Sequence, residues 1–478
     1  MTEFSEQYDV VVIGSGAAGS AAALEAKANG ASVLVVEKSP ESTAGGNTRV
    51  SGSGWFVNRD ADRAEVFLRT LNGPFPVADD VVEAWAQATV GLSDWMRSMG
   101  ADVGRSGDFH TEPEYQELDG SDCYAGMDTI GGRMGDGLLH DFLRRALDER
   151  GVEVRFDTRA IALITDGEAV VGVEVDGPSG RSRIGAEGGV VLATGGFSAN
   201  PRMVRDYLRV EEHVLWGSPA STGDGHAMAQ QIGADLWHMD NMMTIAGIRG
   251  DDKFGHFLAL WGAQSYLWVG DDGRRFIDET ATPKHGHTVR SGRYELFPTR
   301  AFHLIFDEAV RSAGPLSPTP DVLPVGWNML MKSTRWSADN RAEIESGMIV
   351  RADSVAELAA AIGLDAEVLV RSVDTYNTAC DEGVDDSFGR PASTLAAVRQ
   401  GPFYALRVTP LLGWSNGGPR RDGRSRVLRA DGSVVDGLYA AGEVSSTYSW
   451  RKDGGFHIAD ALAFGRVSGR DAAARAAD

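Results

Sequence analysis

Residues 8–37 read as a strand, a glycine turn, a helix and a second strand ending in an acid, and few folds accommodate that order. Tyr8 to Ile13, YDVVVI, is a continuous apolar, β-branched run suited to a parallel strand buried on both faces. Gly14, Gly16 and Gly19 follow in GSGAAG, and an alanine-rich stretch of high helix propensity runs from there to Gly30. Ala31 to Val36 is a second buried strand, and Glu37 closes it. Each part has a physical task in holding a dinucleotide. Gly14 makes the tight turn, Gly16 lets the backbone approach a pyrophosphate, and Gly19 allows the helix to pack closely on the strand. The helix start offers unpaired N–H groups and partial positive charge to phosphates. Glu37 can accept hydrogen bonds from ribose hydroxyls, where a 2′-phosphate would call for arginine.

Three distant segments extend the pattern. A second glycine-rich loop, AGGNTRVSGSG, spans Ala44 to Gly54. GVVLATGGF, Gly189 to Phe197, is a buried strand ending in a glycine turn. DGLYAAGE, Asp436 to Glu443, precedes the Gly454-Gly455 pair and a helix-like run from Ile458 to Gly469. Segments so far apart meeting at one nucleotide suit a long, bent cofactor better than NAD, whose site is usually one contiguous half of a domain. The 59 glycines follow no Gly-X-Y period and mark backbone that must come close to something. Backbone N–H groups can hold phosphates without basic side chains, so the formal net charge of -22 does not oppose an anionic cofactor. It does argue against nucleic acid and anionic lipid surfaces as partners. The two cysteines, Cys123 and Cys380, have no metal-ligand spacing, so a disulfide framework, zinc and iron–sulfur clusters are not expected and a reducing, cytoplasmic setting is. The N-terminus lacks the positive region of a signal peptide, and no apolar run reaches the roughly 18 residues of a membrane span.

Together with the STGDGHAMAQQIGA segment, Ser221 to Ala234, these motifs resemble the FAD-dependent fumarate reductase and succinate dehydrogenase flavoprotein superfamily, which includes 3-ketosteroid dehydrogenase-like enzymes. The resemblance runs from about residue 7 to residue 475. It implies an α/β fold: a discontinuous Rossmann-like FAD-binding domain, 1–236 and 399–478, interrupted by an α+β capping domain, 237–398. It further implies that Glu37 takes the adenosine ribose, that Thr48, Ser51 and Gly52 lie along pyrophosphate and flavin, that Ala160 or Ile161 faces adenine, and that Glu443 takes the ribityl chain. Ala17, Ala18, Lys38, Asn47, Ala193, Thr194, Gly195, Asp224, Gly442, Gly455 and Ile458 complete the expected cofactor set. The Ala44 to Gly54 loop has no histidine for covalent attachment, so the implied FAD is noncovalent.

The family pattern also breaks. Where fumarate-reducing members place a proton-delivering arginine, the chain has Pro283, with Lys284 and His285 beside it. Two substrate-holding histidines are replaced in Trp414-Ser415-Asn416-Gly417-Gly418 and near Met243. A small dicarboxylate is therefore not the expected substrate. The expected reaction is desaturation or reduction of a carbon–carbon bond beside a carbonyl, on a cyclic ketone or steroid-like compound. An unsaturated carboxylate, or a role as a flavin electron-transfer subunit, is the alternative. Near the flavin, the resemblance singles out Tyr448, Arg451 and Lys452 as catalytic candidates, with Tyr124 a weaker one. Trp237, Trp261 and Tyr266 read as core or as the lining of an apolar pocket. No second GxGxxG with strand and helix flanks offers NAD(P)H a site, so the electron partner is expected to be a quinone-like acceptor, a protein or oxygen. Of the 46 basic residues only six are lysine, and Lys284 and Lys452 both fall beside expected active-site positions.

Overall fold

A computed structural model describes residues 3–107, 110–250, 254–260, 262–281, 284–290, 292–330 and 335–478. Trp261 and Pro283 lie outside the described residues. An eight-stranded sheet organises the nucleotide-binding part. Its centre is the YDVVVI strand, Glu6–Ile13, parallel to Val33–Val36 on one side and to Gly180–Leu192 on the other. Glu153–Arg155 extends the sheet beyond Val33–Val36, and Val434–Ala440 extends it beyond Gly180–Leu192. The chain thus returns more than 400 residues after its start to add a parallel strand beside Gly180–Leu192. Central strands buried on both faces explain the unbroken Val/Ile/Leu runs.

The glycine turn has the geometry that its residues require. Gly14 sits at φ +104°, and a side chain there would meet the Ala193 carbonyl oxygen at 2.4 Å. A Cβ on Gly19 would come within 1.9 Å of the Gly14 carbonyl oxygen. The helix Ala17–Ala28 then packs against the C-terminal helix Phe456–Ala477, with Gly465 and Gly469 set against the backbone of Ala18 and Ala22.

A second sheet, of seven strands, forms the cap. Its hub is the long strand Phe403–Ser415, antiparallel to Met242–Arg249, Phe302–Asp307 and Ile349–Ala352. Val214–Leu215 joins the same strand in parallel. Sheet pairing therefore crosses both domain boundaries expected from the sequence, at 236/237 and 398/399, because hydrogen bonding recruits strands from the flanking connections. The helices Val355–Ala361 and Ala366–Glu382 cover one face of this sheet with Leu358, Ala359, Leu369 and Val373. Trp237 and Tyr266 are core, not pocket lining: Trp237 is buried under Arg420, and Tyr266 lies under the guanidinium of Arg390. Among the described residues no helix is long and apolar enough to cross a membrane. Cys123 and Cys380 are both free thiols.

Candidate functional site

One cavity of about 840 Å³ runs between the carboxyl ends of the parallel strands and the cap, at the large end of the range of about 300–1,000 Å³ for ligand pockets. Its nucleotide end is built by the fingerprint. Gly14, Gly16, Ala17 and Ala18 line it. The helix starting at Ala17 has no side-chain cap, and its one N–H partner from the neighbouring loop is Thr48 Oγ1, 2.8 Å from the Ala17 nitrogen. Glu37 is 7% exposed at the end of its strand. Its Oε2 accepts from the Ser15 N–H at 3.0 Å and the Ser15 hydroxyl at 2.7 Å, and its Oε1 from the Ser39 N–H at 2.9 Å. These bonds aim the carboxylate and leave lone pairs for ribose hydroxyls. Ala160 lines the same end, whereas Ile161 does not. Lys38 and Asp224 line it too, tied to each other at 2.8 Å, with Arg159 2.9 Å from the other carboxylate oxygen.

Further along, Asn47, Thr48, Ser51 and Gly52 form one wall and Ala193, Thr194 and Gly195 another. Gly442 and Glu443 stand between them. Glu443 accepts from Asn47 Nδ2 at 2.7 Å and from the Ser415 N–H at 3.3 Å, and burial pushes its carboxyl up to about 7. Gly455 and Ile458 bring a second uncapped helix start, that of Phe456–Ala477, into the same cavity. Gly19 is the exception among the fingerprint glycines: it packs helix on strand and does not reach the cavity.

The residues present fit a flavin dinucleotide. Two uncapped helix N-termini open into one elongated space, which suits a ligand carrying negative charge at separate points. Thr194 Oγ1, Trp414 Nε1 and His457 Nε2 line it as buried polar atoms without a protein partner. Buried polar atoms are nearly always satisfied, so these await a polar ligand or water.

At the cap end, Lys452 is 4% exposed. Its Nζ lies 3.2 Å from His285 Nε2, 3.4 Å from the Asp453 carbonyl oxygen and 4.6 Å from the centre of the Trp414 ring. Burial brings this ammonium down to about 8, with Glu114 and Asp453 working against that shift. Burial likewise lowers His285 and pulls His457 well below the usual histidine value, so both imidazoles are neutral near neutral pH. Glu114 Oε2 is 3.1 Å from His285 Nδ1, and Glu114 Oε1 is 3.3 Å from His110 Nδ1. Lys284 also lines the cavity, its Nζ 4.6 Å over the Tyr115 ring. The remaining wall is apolar, made by Met127, Met134, Met243, Trp216 and Phe257. The segment 322–326 closes it over, docked by the bonds Asp136 N–H to Pro324 O (3.2 Å), Gly326 N–H to Val50 O (2.7 Å) and Trp327 N–H to Trp216 O (2.7 Å).

Of the four catalytic candidates, only Lys452 faces this space. Tyr448 is fully buried, its hydroxyl donating to the Phe456 carbonyl at 2.7 Å and accepting from Trp85 Nε1 at 3.0 Å. Its spacing from Gly454-Gly455 points the ring into the aromatic core instead of the cavity. Arg451 lies against Tyr115, 5.3 Å from the ring centre, outside the cavity lining. Tyr124 stacks on Phe56 and donates to the His110 carbonyl at 2.6 Å. His110, Glu114, Trp414 and His457 carried no catalytic expectation. For His457 the adjacent Gly454-Gly455 pair was an available signal; for Glu114, in an irregular loop far in sequence from His285 and Lys452, there was none.

The family model described as FAD binding domain matches residues 9–462. The chain is 29% identical to the NADH:fumarate oxidoreductase of Klebsiella pneumoniae (strain 342), covering 98% of this chain but 48% of that protein, so it spans about half the length of that relative. It is also 29% identical to the 3-oxosteroid 1-dehydrogenase of Mycolicibacterium smegmatis, over 99% of this chain and 98% of that one. Among solved structures, the open conformation of a flavocytochrome c3 fumarate reductase superposes with a TM-score of 0.70 at 27% identity, covering 99% of this chain and 79% of that one. With a family match that takes in most of the first strand, the glycine turn, the cap and the start of the C-terminal helix, the chain belongs to the FAD binding domain family, and FAD is its cofactor.

Proposed function

We propose that the protein is an oxidoreductase that desaturates, or in reverse saturates, a carbon–carbon bond beside the carbonyl of a ring-bearing, largely apolar substrate. The observation that carries this reading is the junction of an apolar, Met- and Trp-lined wall with the buried Lys452 amine, in a cavity continuous with the nucleotide cradle. The noncovalent FAD that Gly14, Gly16, Thr48, Glu37 and Glu443 would hold would supply hydride transfer, at the carbon next to the one that exchanges a proton. The chain's own part is to orient the substrate and handle that proton. Trp216, Phe257 and Met243 exclude water and hold the apolar body. Lys452 Nζ meets the carbonyl end: as a free amine it takes the α-proton, and as ammonium it returns it. An amine brought near 8 populates both forms near neutral pH, which is the condition for efficient proton transfer.

The carboxylate reading rests on a specific observation as well. Lys452 and Lys284 put two lysine side chains into the cavity, although the positions of the family's arginine and two histidines carry other residues. An unsaturated carboxylate with an apolar body is thus the second substrate class. Anaerobic mixing of the FAD-loaded protein with ring ketones, their enones and aryl-substituted enoates tests both. Substrate-dependent bleaching by a saturated ketone, or reoxidation of the reduced protein by an enone, is expected, with Lys452→Met slowing that step about a hundredfold. Bleaching by a protein donor alone would contradict the reading and favour an electron-transfer subunit.

A further inference from the structure

We propose that Trp414 is the positioning residue for Lys452: the face of its indole holds the ammonium at the substrate wall and keeps the protonated form populated. That role rests on the proposed reaction, in which Lys452 must return a proton as well as take one. Lys452 is buried, and among the described residues no carboxylate lies within ion-pair distance of its Nζ. Its contacts are His285 Nε2 at 3.2 Å, the Asp453 carbonyl oxygen at 3.4 Å and the Trp414 ring, whose centre is 4.6 Å away. One carbonyl and an imidazole that burial keeps neutral leave most of the charge without a partner. An indole face within about 6 Å attracts a cation through the ring quadrupole, and most strongly where water is excluded.

The indole is set for this contact by a rigid element. Trp414 stands one residue from the end of the long strand Phe403–Ser415 and pairs with Met243 across the cap sheet. The next residue is anchored twice: the Ser415 N–H donates to Glu443 at 3.3 Å, and Ser415 Oγ accepts from the Phe197 N–H at 2.8 Å. Gly413, the residue before, lies so close to Met243 that a Cβ there would come within 2.8 Å of its Sδ. The His457 ring braces the indole at 63°, with centres 5.0 Å apart. A tryptophan serving only as core pairs its N–H when buried. Here Nε1 is buried, has no protein partner and lies in the cavity wall. The ring is thus held at the ligand space with its face given to Lys452.

Burial draws the Lys452 ammonium down, and Glu114 and Asp453 oppose that shift. The ring face opposes it in the same sense, because it attracts the cation and not the free amine. The titratable and charged groups around Lys452 are His285, Glu114 and His110 on one side, Asp453 next in the chain, His287 and His457 on the other side, and Lys284 with Arg451 around Tyr115. A change confined to the electrons of the indole alters none of these, so a shift that it produces belongs to Trp414. A substitution that empties the site acts in the opposite direction, since water reaching Lys452 favours the ammonium.

Fluorine on the benzo ring of tryptophan withdraws π density and leaves the shape nearly unchanged, so it separates the face contact from packing. The chain has six lysines, and NMR of FAD-loaded protein labelled at lysine Nζ can follow Lys452 without any substrate, its signal assigned through Lys452→Met. With difluoro- and then tetrafluorotryptophan in place of Trp414, the midpoint of the Lys452 titration should fall stepwise, by about one pH unit in all, at unchanged FAD content. A midpoint that stays or rises would overturn the proposal and leave the proposed reaction standing. The inflection in FAD reduction by a saturated ring ketone should fall by the same amount. An inflection that stays while the Lys452 midpoint falls would overturn Lys452 as the base, and with it the positioning role, while the contact itself would stand.

Discussion

Replacing the Tyr448 hydroxyl removes a donor to the Phe456 carbonyl and leaves Trp85 Nε1 buried without a partner. Tyr448→Phe should therefore cost about 1–3 kcal/mol of stability, read from denaturant unfolding of the holoprotein, with the flavin half-reaction changed less than twofold. A hundredfold loss in that half-reaction would return the tyrosine to the chemistry. The contrast between Tyr448 and Lys452 also marks the limit of motif spacing. Both lie within a few residues of Gly454-Gly455, and a linear count cannot tell which side chain turns to the cavity, because that depends on the aromatic core formed by Phe56, Trp85 and Phe456. Lysine scarcity was the better guide, since both Lys284 and Lys452 line the site. His110 and Glu114 become visible only when the fold brings their loop against His285 and Lys452, and no local pattern announces such contacts.

At the level of elements, the strand-turn-helix-strand start was legible because every part of it is local: period, propensity and turn residues act within about thirty residues. The cap was less so. Phe403–Ser415 lies wholly beyond the expected boundary at 398/399 and is yet the hub of the cap sheet, and Val214–Leu215 joins it, because strand pairing is decided by distant partners. The segment 322–326 is a coverlet whose position on the site depends on three backbone bonds, and Pro324 disfavours a helix there without indicating what the segment covers. A side chain at Gly326 would come within 2.1 Å of Trp216 Nε1, at φ +90°. Gly326→Val should accordingly displace Trp216 from the cavity wall and raise KM for apolar substrates at least tenfold, while FAD content stays at the wild-type level. An unchanged KM would remove Trp216 from the substrate wall.

Over the whole molecule, a strongly acidic chain lines the nucleotide end of its cavity with glycine backbone and two helix starts and sets the buried Lys452 at the cap end of the same cavity. In the proposed function that separation divides the work: the nucleotide cradle binds, and the Lys452 end moves the proton. The pH dependence of FAD reduction by a saturated ring ketone in the intact holoprotein tests it directly. The base must be the free amine, so the rate should climb about tenfold per pH unit below about 8 and level off above it. Asp453 and Glu443, both raised by burial to about 7, titrate nearby, and the assignment therefore requires the same profile in a variant. In Lys452→Met the account predicts a step about a hundredfold slower from which the inflection near 8 has gone; an inflection and plateau rate unchanged from wild type would contradict it.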